Sequence, residues 1–489
     1  MRGTVRFLLG DEPREIAAVD PTLTVLEWLR GEERRTGTKE ACAEGDCGAC
    51  TVVVGRLEDG EVRYEAVNAC IRFLATLDGC RLLTVEHLKR ADGSLHPVQQ
   101  AMVECHGSQC GFCTPGFVMA MYALYLNEDR PEERRIDDAL AGNLCRCTGY
   151  GPIVAAARRM YELGDRTADP LADPAGTAAR LAALRDAETV EVGSGDRRFL
   201  APATLAQLEA AVADNPGATI VSGATDVGLW VTKQMRVLPT VIYTGRVEEL
   251  RTVRDLGDAL EIGAGATYSR AWAAIAALYP DFGELIRRIG AEQVRNAGTI
   301  GGNVANGSPI GDTPPALIAA GARLVLNRGG DRRTIPLEEF FIEYGRQDRR
   351  AGEFVERILL PKPAPGDRFR AYKISKRFDQ DISAVCACFL VRIADDGTVA
   401  QARLAYGGMA GIPKRAGAAE AALTGRPWTE ETVRGAMAAL AQDFTPLTDW
   451  RASAAYRMEV AANLLLKLHA ETTGAEGTRL VGDGRLAHA

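Results

Sequence analysis

Residues 42–50 read CAEGDCGAC, a loop in which three cysteines are separated by four and then two residues. The fourth cysteine of the set, Cys70, lies further along the chain. The spacing C-x4-C-x2-C followed by a distant cysteine is typical of a plant-type 2Fe–2S cluster bound by four thiolates. Gly45 and Gly48 allow tight backbone bends around such a cluster. The alternatives are scattered core thiols or a structural zinc site, but zinc sites usually take cysteines as two short pairs. The predicted ligands are Cys42, Cys47, Cys50 and Cys70.

A second cysteine set follows in two short stretches. Cys110 and Cys113 form a C-x2-C motif, and Cys145 and Cys147 form a C-x-C motif. On spacing alone, these four thiolates suit zinc or a second 2Fe–2S cluster. The remaining cysteines complete no four-ligand set, and we expect them to be free thiols in the core. These are Cys80, Cys105, Cys386 and Cys388.

Composition describes an ordinary soluble chain of 489 residues, long enough for three or four domains. Lys and Arg number 58 against 65 Asp and Glu, a net charge of −7. Nucleic-acid binding needs clustered positive charge, so this balance disfavours it. The N-terminus lacks the apolar run of a signal peptide, and the longest apolar run, residues 117–126, is too short to span a bilayer. We therefore expect a cytoplasmic location and no contact with a membrane.

Sequence patterns along the chain predict a multidomain α+β protein. Residues 1–88 contain strand-like runs and one helix after Thr22 or Thr24, with a last strand over LLTVEHL (82–88). Residues 89–163 carry apolar residues at helical spacing, which predicts four short helices. The Ala-, Asp-, Gly- and Pro-rich stretch 164–195 is predicted to be a linker with room for one helix. An α/β domain is predicted over 196–370 and an α+β unit over 371–475.

Two glycine-rich stretches in the α/β domain are candidates for binding a phosphate-bearing cofactor. They are IVSGATDVGL (220–229) and AGTIGGNVANGSPIGDTPPA (297–316). Neither is a G-x-G-x-x-G motif, so a Rossmann site is not supported. Glycines expose backbone N–H groups that can bind a pyrophosphate, and Asp226 and Asp312 can bind hydroxyls. Two ordinary loops are the alternative. Lys373 is either a cofactor contact or part of a solvated charge run.

Seven motifs, in order along the chain, resemble the small subunit of bacterial xanthine dehydrogenases in the molybdenum hydroxylase family. They are KEACAEGDCGACTV, HPVQQAMVECHGSQCGFCTPG, LAGNLCRCTGYGPI, GATDVGLWVTK, TIGGNVANGSPIGD, SKRFDQDISAV and YGGMAG-PKRA, where the hyphen stands for Ile412. The resemblance implies a plant-ferredoxin-like β-grasp, a four-helix 2Fe–2S domain, a vanillyl-alcohol-oxidase-type FAD domain and a flavoprotein C-terminal domain. It also implies that both cysteine sets bind 2Fe–2S clusters.

The resemblance assigns roles to further residues. Gln109 matches a contact to the pterin of the partner's molybdenum cofactor, and Tyr344, in FFIEY (340–344), matches a position near NAD. Gly345 stands where a close relative would have a basic residue, and Ser222-Gly223-Ala224 where relatives often have Gly-Gly. The implied FAD contacts are Ile220, Val221, Ser222, Gly223, Ala224, Thr225, Asp226, Val227, Thr299, Gly302, Asn303, Asn306, Ser308, Asp312, Val355 and Lys373.

The implied function is that of an electron-transfer subunit in purine catabolism, because no stretch of the chain supplies a molybdenum domain. A large molybdenum-binding partner would oxidise hypoxanthine and xanthine to urate, in a heterotetramer with two copies of each subunit. Electrons would pass through both clusters to FAD and then to NAD⁺. The alternatives are a partner acting on an aldehyde or a heteroaromatic ring, a stand-alone NADH-dependent electron carrier, and a non-enzymatic scaffold with two four-cysteine zinc sites.

Overall fold

The computed structural model describes residues 1–90, 92–475 and 478. The chain forms two compact units. The first comprises residues 1–248 together with a short returning segment, residues 290–298. The second comprises residues 249–289 and the described residues from 299 onward. The multidomain α+β class predicted from the sequence is confirmed.

A mixed five-stranded sheet opens the first unit. Its strands are β1 (Val5–Leu9), β2 (Glu12–Ile16), β3 (Thr51–Glu58), β4 (Glu61–Asn68) and β5 (Cys80–Leu83). They lie in the order β2-β1-β5-β3-β4, and β1 runs parallel to β5. Helix α1 (Val25–Gly31) packs on this sheet, with Trp28 edge-on to Phe7 at 5.3 Å between ring centroids. Thr24 begins the helix through a capping box with Glu27, because each residue satisfies a backbone N–H of the other.

Four helices follow and share one apolar core, as predicted. They are α2 (Pro97–Glu104), α3 (Thr114–Asn127), α4 (Glu133–Leu140) and α5 (Gly151–Leu163). The long apolar run forms most of α3, which is buried on nearly all sides. Within the described parts of the chain, no helix is long and apolar enough to cross a membrane.

The predicted linker contains regular structure. Residues 164–195 include helix α6 (Pro174–Leu184), which buries Leu181, and strand β6 (Val190–Ser194). Strand β6 joins a four-stranded sheet of order β6-β7-β9-β8, in which β7, β8 and β9 run parallel. The remaining elements of this part are β7 (Arg197–Ala201), α7 (Leu205–Asp214), β8 (Thr219–Val221), α8 (Val227–Thr232) and β9 (Thr240–Tyr243).

The second unit is built on two antiparallel sheets. The first has the order β10-β11-β16-β12-β13, and the second has the order β17-β18-β19-β20. The strands are β10 (Val253–Asp255), β11 (Ala259–Gly263), β12 (Arg323–Arg328), β13 (Asp331–Pro336), β14 (Phe341–Glu343), β15 (Arg346–Gln347), β16 (Phe354–Pro361), β17 (Asp367–Ile374), β18 (Val385–Ile393), β19 (Val399–Gly407) and β20 (Lys414–Arg415). Strands β14 and β15 form a separate hairpin.

Helices cover both of these sheets. They are α9 (Tyr268–Leu278), α10 (Pro280–Arg287), α12 (Ile300–Asn306), α13 (Thr313–Ala319), α14 (Leu337–Phe340), α15 (Gly417–Leu423), α16 (Glu430–Asp443) and α17 (Ala454–Thr472). Helix α11 (Glu292–Ala297) lies between α10 and α12 in the chain but belongs to the first unit, where it packs on β4.

A buried pair attaches the segment after α5 to the four helices. His96 Nε2 lies 3.1 Å from Asp169 Oδ2, and both side chains are almost fully buried. Burial is the largest influence on Asp169 and opposes its ionisation, but its contacts with His96 and the Leu171 N–H together outweigh burial and hold the pKa of that carboxyl below its usual value. Because the pKa of Asp169 is lowered on folding, its ionised carboxylate stabilises the fold above about pH 3.9, the ordinary aspartate pKa. This stabilisation is lost as the pH falls through the lower pKa that Asp169 has in the folded protein.

We expect Asp169→Asn to lower the free energy of unfolding by about 2 kcal/mol at neutral pH, because it weakens a buried, charge-assisted hydrogen bond. The variant should also lose part of the acid dependence of unfolding, which denaturant titrations between pH 3 and pH 7 measure. Asp165→Asn is the matched control, because Asp165 caps a turn in the same segment but lies in solvent. Equal stability of the two variants would contradict the prediction.

Candidate functional site

The sheet and the loop before it bring the first cysteine set together. Strands β3 and β4 are antiparallel with Thr51 opposite Asn68, so Cys50 and Cys70 lie just beyond paired strand ends. Both are buried, at 2% and 3% exposure. Cys42 and Cys47 lie in the loop between α1 and β3 and are half-buried. The structure therefore brings together four residues that the chain separates by up to 28 positions.

These four thiols form one connected chain of contacts. Hydrogen bonds from the Cys47 and Cys70 thiols lower the pKa of Cys42, and one from Cys70 also lowers the pKa of Cys50. The Cys42 sulfur also accepts backbone N–H groups from Glu44 at 3.5 Å and Cys47 at 3.4 Å. Four thiols in mutual contact fit a 2Fe–2S cluster, in which four cysteines bind two irons. Among the residues described, no group of three or more His, Cys, Asp or Glu side chains has the arrangement that holds a metal ion.

In the loop that contains Cys42 and Cys47, neighbouring backbone leaves no room for a side chain at Gly48. Gly48 has a left-handed φ of +70°, and a Cβ there would lie 2.2 Å from the Gly142 carbonyl oxygen. Asn68 Nδ2 donates to the Gly45 carbonyl at 2.8 Å, which fixes the other side of the loop. The loop is thus shaped by close backbone contacts and by a buried amide, whether or not a metal is bound.

The second cysteine set lies at the N-terminal ends of two helices. Cys113 immediately precedes α3, and Cys145 and Cys147 lie in the loop before α5. Burial, together with a bond to Cys145, raises the pKa of Cys113 to about 12, and a bond to Cys110 raises that of Cys147. This second set therefore consists of two thiol pairs, Cys113 with Cys145 and Cys110 with Cys147. The positive ends of α3 and α5 favour an anionic group at this position.

A direct backbone hydrogen bond joins the two cysteine sets. The Leu144 N–H, adjacent to Cys145, donates to the Cys47 carbonyl at 3.0 Å. Next to it, Asn143 Nδ2 donates to the Gly48 carbonyl at 3.0 Å, and Gln293 Nε2 donates to Asn143 Oδ1 at 2.8 Å. The sequence analysis missed Asn143 and Gln293. An amide two residues before the C-x-C motif was the only available signal for Asn143, and no signal pointed to Gln293.

The loop around Gly48 provides a test of this packing. We expect Gly48→Ala to destabilise the first unit by about 1–3 kcal/mol beyond the cost of its left-handed backbone, because the added methyl clashes with a buried carbonyl. Gly60→Ala is the matched control, since Gly60 has a φ of +87° but nothing within 4 Å of an added Cβ. Chemical denaturation compares the two variants. If Gly60→Ala is as destabilising as Gly48→Ala, the close contact is not what constrains residue 48.

The first glycine-rich stretch lies between β8 and α8 in the first unit. Gly223 approaches the 290–298 segment so closely that an added Cβ would lie 1.9 Å from the Ala297 carbonyl oxygen. Ala224 has a left-handed φ of +60°, and Asp226 is exposed at the start of α8. The remaining residues of this predicted FAD loop line the same turn and are mostly half-buried. They are Ile220, Val221, Ser222, Thr225 and Val227.

The second glycine-rich stretch forms α12 and the loop that follows it, in the second unit. Thr299 caps α12 by accepting the Gly302 N–H at 3.0 Å. Asn303 Oδ1 accepts a hydrogen bond from Thr313, Asn306 is exposed, and Ser308 Oγ accepts the Ile310 N–H at 3.4 Å.

Asp312, at the end of this stretch, is held in a buried polar network. Lys373 Nζ lies 2.7 Å from Asp312 Oδ2, and Ser383 Oγ donates to Asp312 Oδ1 at 2.6 Å. The structure thus separates Lys373 from the solvated charges of residues 376–381 and pairs it with a residue of the predicted FAD loop. Ser383 is a further residue that the sequence analysis missed.

Three predicted contacts lie elsewhere. Val355 is buried in β16, opposite Leu326 of β12. Tyr344 is 77% exposed in the turn between β14 and β15. Gly345 in that turn has a φ of +71°, which explains glycine at a position where a basic residue was expected. Gln109 is exposed beside Cys110. Of the remaining cysteines, Cys80, Cys386 and Cys388 are buried free thiols as expected, and Cys105 is half-buried.

Comparison with protein families covers most of the chain. Residues 8–74 match the 2Fe-2S iron-sulfur cluster binding domain, and residues 84–158 match the [2Fe-2S] binding domain. Residues 193–363 match the FAD binding domain in molybdopterin dehydrogenase, and residues 370–472 match the CO dehydrogenase flavoprotein C-terminal domain. The chain belongs to the molybdenum hydroxylase family. It carries the iron–sulfur and flavin-binding domains of these molybdenum hydroxylases.

Similar curated proteins are xanthine dehydrogenases. The one from Emericella nidulans is 33% identical over 90% of this chain and 36% of its own length. That from Drosophila pseudoobscura is 34% identical over 80% of this chain and 33% of its own length, and xanthine dehydrogenase 1 of Arabidopsis thaliana is 31% identical over 86% and 36%. The chain therefore spans about a third of the length of these molybdenum hydroxylases.

Solved structures support the same fold. A carbon monoxide dehydrogenase from Hydrogenophaga pseudoflava superposes with a TM-score of 0.52 at 29% identity, over 55% of this chain and 93% of that one. Quinoline 2-oxidoreductase from Pseudomonas putida superposes with a TM-score of 0.52 at 23% identity, over 58% of this chain and 98% of that one. The second likeness concerns the fold alone.

Proposed function

We propose that this chain is the electron-transfer subunit of a xanthine dehydrogenase. A larger molybdenum-binding partner would oxidise hypoxanthine and xanthine to urate, and electrons would pass through two 2Fe–2S clusters and FAD to NAD⁺. In this proposal Cys110, Cys113, Cys145 and Cys147 bind the cluster nearer the partner, and Cys42, Cys47, Cys50 and Cys70 bind the other. Bound flavin supplies the exchange between one-electron and two-electron chemistry.

The observation that carries this proposal is the hydrogen bond between the Leu144 N–H and the Cys47 carbonyl. This bond links Cys47 of the first set to Cys145 of the second set through Leu144, by one hydrogen bond and otherwise covalent bonds. A scaffold with two independent zinc sites has no need of such a path. Cys110 and Cys147 are exposed, as is Gln109 beside them, so this set faces solvent where a partner subunit can dock.

The protein itself would hold the cofactors in place. The Asp312–Lys373 pair is proposed to contact FAD, together with the residues of the two glycine-rich stretches described above. Tyr344, in its exposed turn, is proposed to lie near the nicotinamide of NAD⁺, and Gln109 near the pterin of the partner. We further propose that the enzyme contains two copies of each subunit and is cytoplasmic.

A second candidate keeps the cofactors and changes the substrate of the partner. This chain is also similar, at 29% identity, to a chain of a carbon monoxide dehydrogenase. In this second candidate the partner therefore acts on another small molecule, on an aldehyde or on a heteroaromatic ring. The curated relatives named xanthine dehydrogenase match 80% or more of this chain at 33–34% identity, which favours xanthine.

The test uses the chain purified without oxygen, alone and with its large subunit. We expect about four irons and one FAD per chain, since each 2Fe–2S cluster contributes two irons, with an absorption that dithionite bleaches. The complex should then reduce NAD⁺ with xanthine. A colourless chain with bound zinc would contradict the electron-transfer function. Normal cofactor content with activity only on an aldehyde, or on a ring other than a purine, would support the second candidate.

A further inference from the structure

The C-terminal end of helix α8 contacts the loop that contains Cys42. Thr232 Oγ1 donates to the Ala43 carbonyl at 2.8 Å, and Lys233 Nζ donates to the Cys42 carbonyl. The Lys233 ammonium also lies 3.6 Å from the Glu44 carboxylate. The last residue of α8 and the residue after it therefore bind two consecutive carbonyls of the cysteine loop. About 190 residues separate the helix from that loop in the sequence.

The middle of α8 lies directly on the other part of the cysteine set. A Cβ added to Gly228 would lie 2.7 Å from the carbonyl oxygen of Ile71 and 2.8 Å from its Cβ. Ile71 follows Cys70, and its side chain reaches Gly45 within the loop. Helix α8 therefore contacts the Cys42 end and the Cys70 end of one set.

The other end of α8 is the predicted FAD loop. The helix begins at Val227, the last residue of Ile220–Val227, and is six residues long. A helix rises about 1.5 Å per residue, so α8 spans roughly 9 Å. The contacts at its C-terminal end also hold Ala43 in a left-handed φ of +54°, which a residue with a side chain rarely adopts without support.

We propose that α8 is a rigid connector that sets the distance between the Cys42–Cys70 cluster and the flavin. Gly228, Thr232 and Lys233 are positioning residues of this connector. Lys233 also places a positive charge at a ligand residue, which favours the reduced, more negative cluster. This inference rests on the proposed function, because it requires a cluster at the cysteine set and a flavin at the 220–227 loop.

Substituting the glycine tests the connector. In the complete enzyme with its partner, Gly228→Ala should slow electron exchange between this cluster and FAD several-fold, while iron and flavin contents stay normal. Rapid-reaction spectroscopy after reduction measures this rate. Gly31→Ala is the matched control, since Gly31 also lies in a helix of the first unit but has nothing within 4 Å of an added Cβ. An unchanged rate in a fully loaded Gly228→Ala enzyme would overturn the proposal.

The lysine gives a second test that survives if Gly228→Ala fails to fold. Lys233→Met should shift the midpoint potential of this cluster to a more negative value in a redox titration followed by electron paramagnetic resonance. A one-electron shift of 59 mV would change the equilibrium constant for transfer to FAD tenfold. Lys233→Arg should keep the potential. Arg236→Met is the control, since Arg236 carries the same charge nearby but stacks on Trp230. Equal shifts in Lys233→Met and Arg236→Met would overturn the role of Lys233.

Failure of this inference differs from failure of the proposed function. If the unsubstituted chain lacks iron or FAD, the proposed function is wrong. If the unsubstituted chain carries both cofactors and the variants leave the rate and the potential unchanged, only the connector is wrong.

Discussion

Replacing Cys113 by alanine is expected to reduce the iron content of the chain from about four to about two atoms, because one of two 2Fe–2S clusters loses a ligand. Cys113 is paired with Cys145 at the start of α3, so its loss breaks one of the two thiol pairs of the set. Electron transfer from the partner should fall to background. The Cys42 set and FAD should remain, because their residues lie outside this loop. Iron assays and paramagnetic resonance of the reduced chain measure the outcome.

Cys105→Ala is the matched control for this substitution. Cys105 is also half-buried and lies in the same helical part of the chain, but it belongs to neither predicted set. It should keep its full iron content. If Cys113→Ala retains about four irons, or Cys105→Ala loses two, the assignment of ligands is wrong.

Replacing Lys373 by methionine is expected to release FAD while both clusters stay bound. The substitution leaves the Asp312 carboxylate buried without its ammonium partner, which lies 2.7 Å away. Removing one member of a buried ion pair typically costs about 3–5 kcal/mol, so binding of a flavin that depends on this network should weaken by at least a hundredfold. The ratio of flavin to iron after gel filtration, and titration of the flavin-free chain with FAD, measure the effect.

Lys376→Met controls for the loss of a lysine in the same segment. Lys376 Nζ donates to the Trp450 carbonyl at 2.7 Å in an exposed contact. Flavin content should therefore not change. The double variant Lys373→Met, Asp312→Asn separates the contribution of the pair to stability from its contribution to flavin binding. If it restores stability to unfolding but not flavin binding, the pair contacts FAD. Normal FAD content in Lys373→Met would contradict the assignment.

The features predicted correctly are those whose signals are local in sequence. Cys42, Cys47 and Cys50 lie in one short loop, whose spacing predicted the 2Fe-2S iron-sulfur cluster binding domain that matches residues 8–74. Thr24 and Glu27 form their capping box within four residues, so this helix start was also readable. The apolar run in α3 predicted a buried helix for the same reason.

The features that were missed depend on contacts between distant segments. Gln293 lies 150 positions from Asn143 and belongs to no motif, and Asn143 lies in the LAGNLCRCTGYGPI motif, which gave it no role. The predicted last strand over residues 82–88 was wrong beyond Leu83. Thr84 and His87 form a reciprocal cap there, with the Thr84 N–H bonded to His87 Nδ1 at 2.9 Å, and this turns the chain into a 3₁₀ helix. A histidine is an unusual partner in such a cap, so the end of the strand at Leu83 could not be predicted from the sequence.

Helix α11 has a consequence for any attempt to divide or recombine this protein. Its segment, 290–298, supplies the Gln293 amide to Asn143 and the Asn296 amide to the Ala66 carbonyl at 3.0 Å. A fragment that stops at residue 248 contains every proposed cluster ligand but lacks these amides, so it exposes part of β4 and leaves buried polar groups without partners. Gene fission at that boundary, or exchange of the cysteine-rich half between relatives, therefore has to carry a nine-residue insert from further along the chain. Because the first unit comprises residues 1–248 and 290–298, one cut in the gene cannot separate the two compact units.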